Sequence, residues 1–193
     1  MEIQEKREDY AVVIDYMPTG KSFSTRADPT LQLVGTERFT LLEAKPKPNT
    51  SFSIGEKVYI GKNERDKIEI IKSRISYDEL TQTAKGNLVE ALDKLVKENE
   101  QRYVDFFNNA KPLNIRQHSL ELLPGIGKKH LQAILKERTV KKFESFEDIS
   151  NRIELLQDPS KLIVERILEE LKGNERFYLF TKPFVKRTEQ FGR

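Results

Sequence analysis

The residues in this sequence best suited to chemistry lie at Leu122-Leu123-Pro124-Gly125-Ile126-Gly127-Lys128-Lys129-His130-Leu131-Gln132-Ala133-Ile134-Leu135. Pro124 stops one apolar-periodic segment, two glycines flank an apolar residue, and helical spacing then resumes at once. Gly125 and Gly127 allow a tight turn that residues with a Cβ resist. Ile126 between them is expected to turn inward and pin two helices together. The backbone N–H groups from Gly127 to Lys129 would then stand without partners at the positive end of a helix dipole. Such a terminus attracts phosphate, and Lys128 and Lys129 place full charges beside it. The expected chemistry is noncovalent: a grip on a phosphate backbone by Gly125, Ile126, Gly127, Lys128 and Lys129.

Charge follows the same map. The chain of 193 residues has 34 Lys plus Arg against 31 Asp plus Glu, a net of only +3. Residues 1–78 are balanced at 13 and 13, residues 79–110 carry 4 against 6, and residues 146–173 carry 4 against 7. Residues 111–145 carry 8 basic against 3 acidic groups, and residues 174–193 carry 5 against 2. A local basic surface draws polyanions even when the total is nearly neutral. Lys136, Arg138, Lys141 and Lys142 are candidates for additional nucleic-acid contacts. Each also serves as an ordinary solvated cation, and the hairpin also fits a ligand-free helix–helix turn.

The hairpin resembles the helix-hairpin-helix motif of proteins that grip nucleic-acid backbones, matching its Pro, both glycines, the apolar Ile126 and the later Leu131, Ile134 and Leu135. Shifting the chain by 33 residues lays Leu122-Leu123 on Leu155-Leu156, Lys128 on Lys161, Leu131 on Val164 and Ile134-Leu135 on Ile167-Leu168. In this second copy Gln157-Asp158-Pro159-Ser160 replaces Pro124-Gly125-Ile126-Gly127. Phe143-Glu144-Ser145-Phe146-Glu147-Asp148-Ile149 resembles the linker of tandem helix-hairpin-helix domains. Asp158 sets a negative charge where the first copy exposes amides, so the second copy is expected to be structural.

Catalytic readings fare less well. With no Cys in the chain, disulfides, thiolate zinc sites and cysteine nucleophiles are excluded. His118 and His130 have no metal-ligating companions at useful spacing. Gly20-Lys21-Ser22 has the end of a P-loop, but Asp15 stands where the motif needs Gly. Asp148 has the approximate spacing of a helix-hairpin-helix glycosylase acid in the wrong local context, and no dense carboxylate cluster suggests a two-metal nuclease. The expectation is a non-enzyme with no cofactor and no metal.

The elements that must position the hairpin follow from apolar spacing. Residues 1–9 are polar and expected to fray. β-branched and aromatic runs at Tyr10–Tyr16, Leu31–Val34, Phe39–Glu43, Lys57–Ile60 and Ile68–Ile75, separated by Pro and Gly, predict a β-barrel of about five strands. Asp15 in the first strand needs exposure or a partner. Phe52-Ser53-Ile54-Gly55-Glu56-Lys57-Val58-Tyr59-Ile60 is similar to a strand opening of OB-like or SH3-like barrels. Tyr16, Phe39, Phe52 and Tyr59 are candidates for either a core or a stacking platform. Ser76 to Glu79 has capping-box spacing, and Leu80, Ala84, Leu88, Ala91, Leu95, Tyr103 and Phe106 predict a long helix with a break near Asn99. From Lys111 several short helices are expected, with caps at Ser145 and Asp158-Pro159, a stop at Gly173-Asn174, and an aromatic tail at Phe177, Tyr178, Phe180 and Phe184.

The fold class is α+β: an OB-like β-barrel over residues 1–78, a linking helix over 79–110, and a tandem helix-hairpin-helix domain with its tail over 111–193. Barrel and hairpin together resemble an uncharacterised archaeal family of predicted RNA-binding proteins (domain of unknown function 655). That resemblance implies RNA as the partner, with DNA as the alternative. A second hypothesis is a protein-binding adaptor on a ribonucleoprotein or a replication or repair assembly, motivated by the neutral barrel and by the aromatic tail beside Lys182, Lys186 and Arg187. No apolar run approaches the roughly 18 residues of a membrane span and the first residues do not resemble a signal peptide, so a cytoplasmic protein with no membrane partner is expected.

Overall fold

Period-two alternation fixes the sheet. Ala11 and Val13, Leu31 and Leu33, Leu42 and Ala44, Val58, Ile60 and Ile68 form one buried cluster, with Tyr16, Phe52 and Ile71 packed on its margin. The structure, a computed structural model, describes residues 8–20 and 28–185. Lys21 and Ser22, Lys186 and Arg187, and residues 1–7 of the segment expected to fray lie outside the described residues.

The five expected strands are β1 Tyr10–Met17, β2 Thr30–Gly35, β3 Leu41–Pro46, β4 Lys57–Tyr59 and β5 Ile68–Arg74. They form one antiparallel sheet in the order β4-β1-β2-β3-β5. Its edge strands are β4 and β5, so a curled open sheet stands where a closed barrel was expected. Phe39 is also not a strand residue. It sits in the β2–β3 turn at φ +54 and is buried, which removes it from the stacking candidates. Glu8 shapes that turn: its carboxylate accepts the backbone N–H groups of Glu37, Arg38 and Thr40 at 2.8, 2.8 and 3.2 Å. Tyr16 and Phe52 meet edge to face at 5.3 Å, as do Tyr10 and Tyr59.

Asp15 finds its partner through a bulge. The register of β1 on β2 slips between Val13 and Asp15, which keeps Tyr16 on the cluster side and pairs Asp15 with Gln32, itself paired with Glu43. Such a bulge turns the following side chains to the other face. The resulting row of buried polar groups receives the start of the first helix. Gln32 donates to the Glu43 carboxylate at 3.0 Å and to the Glu79 carbonyl at 3.1 Å, and accepts from the Thr81 N–H at 2.9 Å. The Thr81 hydroxyl donates to Asp15 at 2.5 Å and accepts from the Ala84 N–H at 3.0 Å. Thr81 is therefore the functional cap of α1 Gln82–Glu98, while the expected Ser76–Glu79 box closes only a short 3-10 turn at Tyr77–Glu79.

The helix breaks at Asn99, as expected, and continues as α2 Glu100–Asn109. Tyr103, Val104 and Phe107 are its buried residues, with Phe107 in the place expected for Phe106. From Lys111 the chain departs from the expected short helices. A two-stranded ribbon, β6 Pro112–Asn114 with β7 Gln117–His118, and a 3-10 turn at Ser119–Leu122 precede α3 Lys128–Val140, α4 Phe146–Arg152 and α5 Pro159–Lys172.

The chain divides into two compact units, Met1–Lys85 with Glu170–Arg193, and Gly86–Glu169. This division differs from the expected 1–78, 79–110 and 111–193, because residues after 169 group with the sheet. Glu170 explains the difference. Its buried carboxylate accepts the N–H groups of Leu179, Phe180 and Thr181 at 2.6, 3.0 and 2.8 Å, and Arg74 donates to the Lys182 carbonyl at 2.7 Å. No helix among the described residues is long and apolar enough to cross a membrane.

Candidate nucleic-acid interface

In the second unit the glycine turn precedes α3 as expected, but the segment before it differs. That segment is the 3-10 turn Ser119–Leu122, not an α-helix. Gly125 takes φ +82, a conformation that L side chains rarely adopt, and the Ile126 N–H closes the turn on the Leu123 carbonyl at 3.1 Å. Ile126 is 5% exposed, so its side chain turns inward as expected, and Leu123, Leu131 and Ile134 are buried as well. Gly127 is the N-cap of α3, in extended backbone and with no side-chain cap. The Leu131 N–H is the first to enter the helical ladder, reaching the Gly127 carbonyl at 2.9 Å. The N–H groups of Lys128, Lys129 and His130 thus have no partner among the described residues, and both lysines are exposed. His130 Nδ1 lies 3.1 Å from the Gly125 carbonyl; in the tautomer that places its proton there, it braces the turn from the helix side.

The segment expected to be a second copy differs at its turn and helix start. Its turn reaches the left-handed region at Leu155, φ +59, without a glycine. At the start of α5 the Asp158 carboxylate accepts the Ser160 N–H at 3.0 Å, and the Ser160 hydroxyl donates to Asp93 at 3.4 Å. The chain supplies its own anions at α5 and leaves α3 open.

The four outlying cations separate. Arg138 is partly buried and donates to the Phe107 carbonyl at 3.0 Å, closing the last turn of α2. Lys141 pairs with Glu144 at 3.0 Å. Lys136 and Lys142 are exposed and have no ion pair among the described residues. Lys129, Gln132 and Lys136 recur at i, i+3 and i+7, so they share one face of α3, and all three are exposed.

Two supports of this site escaped the sequence. Arg152 donates to the carbonyls of Glu137 and Lys141 at 2.7 and 2.8 Å and lies 4.5 Å from the Phe143 ring centroid, fixing the far end of α3. His118 caps the turn before the hairpin: its Nδ1 accepts the Leu120 N–H at 3.1 Å while its own N–H donates to Glu121 at 2.8 Å. Burial, and then the Arg138 guanidinium, hold the His118 imidazolium below its ordinary pKa of 6.5, against an opposing pull from Glu121. The folded state prefers neutral His118, so its contribution to stability is complete above about pH 6.5 and declines as pH falls below it toward the folded pKa. Urea denaturation at pH 7.5 and 5.5 is expected to show a smaller loss in His118→Asn than in the parent, since the amide oxygen keeps the cap and cannot titrate. Equal losses in both proteins would contradict this role.

A curled antiparallel sheet with a helical unit that presents an open helix start between glycines and lysines defines an α+β protein with a candidate anion-binding hairpin. The chain belongs to the family described as protein of unknown function (DUF655), which matches residues 7–182. It is 44% identical over 181 residues to the uncharacterized protein MJ0038 of Methanocaldococcus jannaschii, an alignment spanning 92% of this chain and 82% of that one. The crystal structure of Af1531 from Archaeoglobus fulgidus, of the same family, superposes with a TM-score of 0.86 at 44% identity, covering 91% of this chain and 100% of that one. The relatives are archaeal, and the mixed α+β fold is shared with Af1531.

Proposed function

We propose that this protein binds nucleic acid without catalysing a reaction, gripping one phosphate at the start of α3 in the manner of a helix-hairpin-helix motif. The observation that carries the reading is the contrast between the two hairpins. Asp158 and, through Ser160, Asp93 serve the start of α5, whereas the N–H groups of Lys128 to His130 face solvent beside two lysines. Lys136 and Lys142 extend the cationic surface along and beyond α3, and the OB-like sheet supplies a further contact in the other unit. Arg138 donates to the Phe107 carbonyl, and Lys141 pairs with Glu144 at the surface. RNA is the favoured strand on the family resemblance.

The aromatic tail that motivated a protein adaptor is bound by the chain itself, with Phe180 5% exposed and its N–H on Glu170. That weakens the adaptor relative to the nucleic-acid reading.

About four phosphate contacts correspond to a log–log salt slope near −3 to −4, roughly a hundredfold loss of affinity over a fourfold rise in salt. Fluorescence anisotropy with single- and double-stranded RNA and DNA of equal length, at two salt concentrations, tests the reading. Salt-sensitive binding to at least one probe is expected, and the preferred probe identifies the strand. No binding to any of the four would overturn it.

A further inference from the structure

The described part of the first unit holds a groove of about 250 Å3 that the hairpin does not use. The β2–β3 turn, the end of β5 with the 3-10 turn after it, the end of α5 and the tail all contribute to its lining. We propose that this groove binds one unstacked nucleotide of a single strand, its base against aromatic side chains and its phosphate beside cations.

Composition is the first argument. Tyr77, Tyr178 and Phe184 line the groove together with Arg38, Lys172 and Lys182, and all three rings are partly exposed. Aromatic faces interleaved with cations are the recurring platform for single-stranded nucleic acid. The Lys85 and Lys172 ammonium groups lie 5.2 and 5.9 Å from the Tyr77 ring centroid, and the Arg74 guanidinium 5.8 Å from that of Phe184. Positive charge thus gathers at these rings, and an incoming base shares their faces with cations.

The second argument is that two acids, the nearby Glu8 and the lining Glu170, are turned to other work; the exposed Asp78 is the other acid of the lining. The Glu8 carboxylate is held by three amides of the turn that carries Arg38, and the lining Glu170 by three amides of the tail. Those bonds also set the walls. Phe39 is locked at φ +54 in one wall, and Gly173 and Asn174 take φ +86 and +67 in another. A side chain as large as Phe rarely adopts the left-handed region, and such backbone persists where the surroundings over-determine it. Preformed walls reduce the ordering cost of a small ligand. The volume suits one nucleotide and excludes a duplex.

The proposal rests on the nucleic-acid reading but names separate residues, so one experiment distinguishes their failures. The full chain, labelled with 15N, is titrated with a ten-nucleotide uridine oligomer and with uridine 5′-monophosphate, and backbone amide shifts are followed. The oligomer is expected to move the amides of Tyr77, Gly173 and Asn174 as well as those of Lys128 to His130, and the mononucleotide to move the first group. Arg38→Glu, at an exposed side chain, is expected to abolish the first group of shifts and to lower the salt slope for the oligomer by about 1. Movement at Lys128 to His130 alone overturns the groove and leaves the hairpin standing. Movement at the groove alone overturns the hairpin and supports the groove. An oligomer that moves neither overturns both.

Discussion

Replacing Lys128 and Lys129 together by Glu is expected to weaken nucleic-acid binding about a hundredfold at low salt, through loss of two lysine charges beside the gripped phosphate and the repulsion that replaces them. The fold should not suffer. Both positions are exposed, and carboxylates in the first turn of α3 interact favourably with the helix dipole. Loss of affinity in a protein whose thermal midpoint is equal or higher would separate binding from unfolding. The loss should be similar across sequences, since a backbone grip positions the strand without reading bases. Anisotropy with the probe the parent prefers checks this, and binding within twofold of the parent would contradict it.

Arg152→Ala is expected to cost about 2–4 kcal/mol, the largest stability effect of a single surface-proximal change in the second unit. α3 ends at Val140, where the Glu137 carbonyl takes the Lys141 N–H at 3.1 Å and the carbonyls after it lie beyond the helical ladder. The Arg152 guanidinium bonds the carbonyls of Glu137 and Lys141, pairs with Glu137 and Asp148 at 3.3 and 3.2 Å, and covers Phe143. Truncation leaves these acceptors short of a partner and exposes the ring. Arg152→Lys should recover less than half of the loss, because one ammonium cannot match a planar fork. Urea denaturation checks both variants, and a cost under about 1 kcal/mol for the Ala variant would show that the clamp is dispensable.

Much of the architecture is legible from apolar spacing. The strand positions, the helix break at Asn99 and the caps at Ser145 and Asp158 depend on residues close in sequence, where turn chemistry and periodicity act directly. At the start of α4 the Ser145 hydroxyl accepts the Asp148 N–H at 3.0 Å. The bulge at Ile14 was not legible, because it is fixed by where Asp15 must meet Thr81, 66 residues away. Sheet closure was not legible for the same reason: whether edges pair is a property of the whole sheet. The leading arm of the hairpin read as a helix because Leu120 and Leu123 have helical spacing, yet three residues are also one turn of 3-10 helix. The turn itself was readable, since Gly125 and Gly127 act through local backbone. The engagement of Arg138 was hidden, as its partner is a carbonyl on another helix, and a charge in a sequence carries no sign of its partner.

The central claim, that the open start of α3 holds a phosphate, is tested most directly by closing it. Gly127 has ordinary extended backbone, and a Cβ added there would meet nothing within 4 Å. Gly127→Asp therefore places a carboxylate N-cap at α3 much as Asp158 does at α5, and should stabilise the helix by a few tenths of a kcal/mol. Gly127→Asn caps the same N–H groups without the charge. The account predicts that Gly127→Asp keeps or raises the thermal midpoint while binding the preferred strand about tenfold or more weakly, with Gly127→Asn intermediate. A well-folded Gly127→Asp protein that binds as tightly as the parent would contradict it.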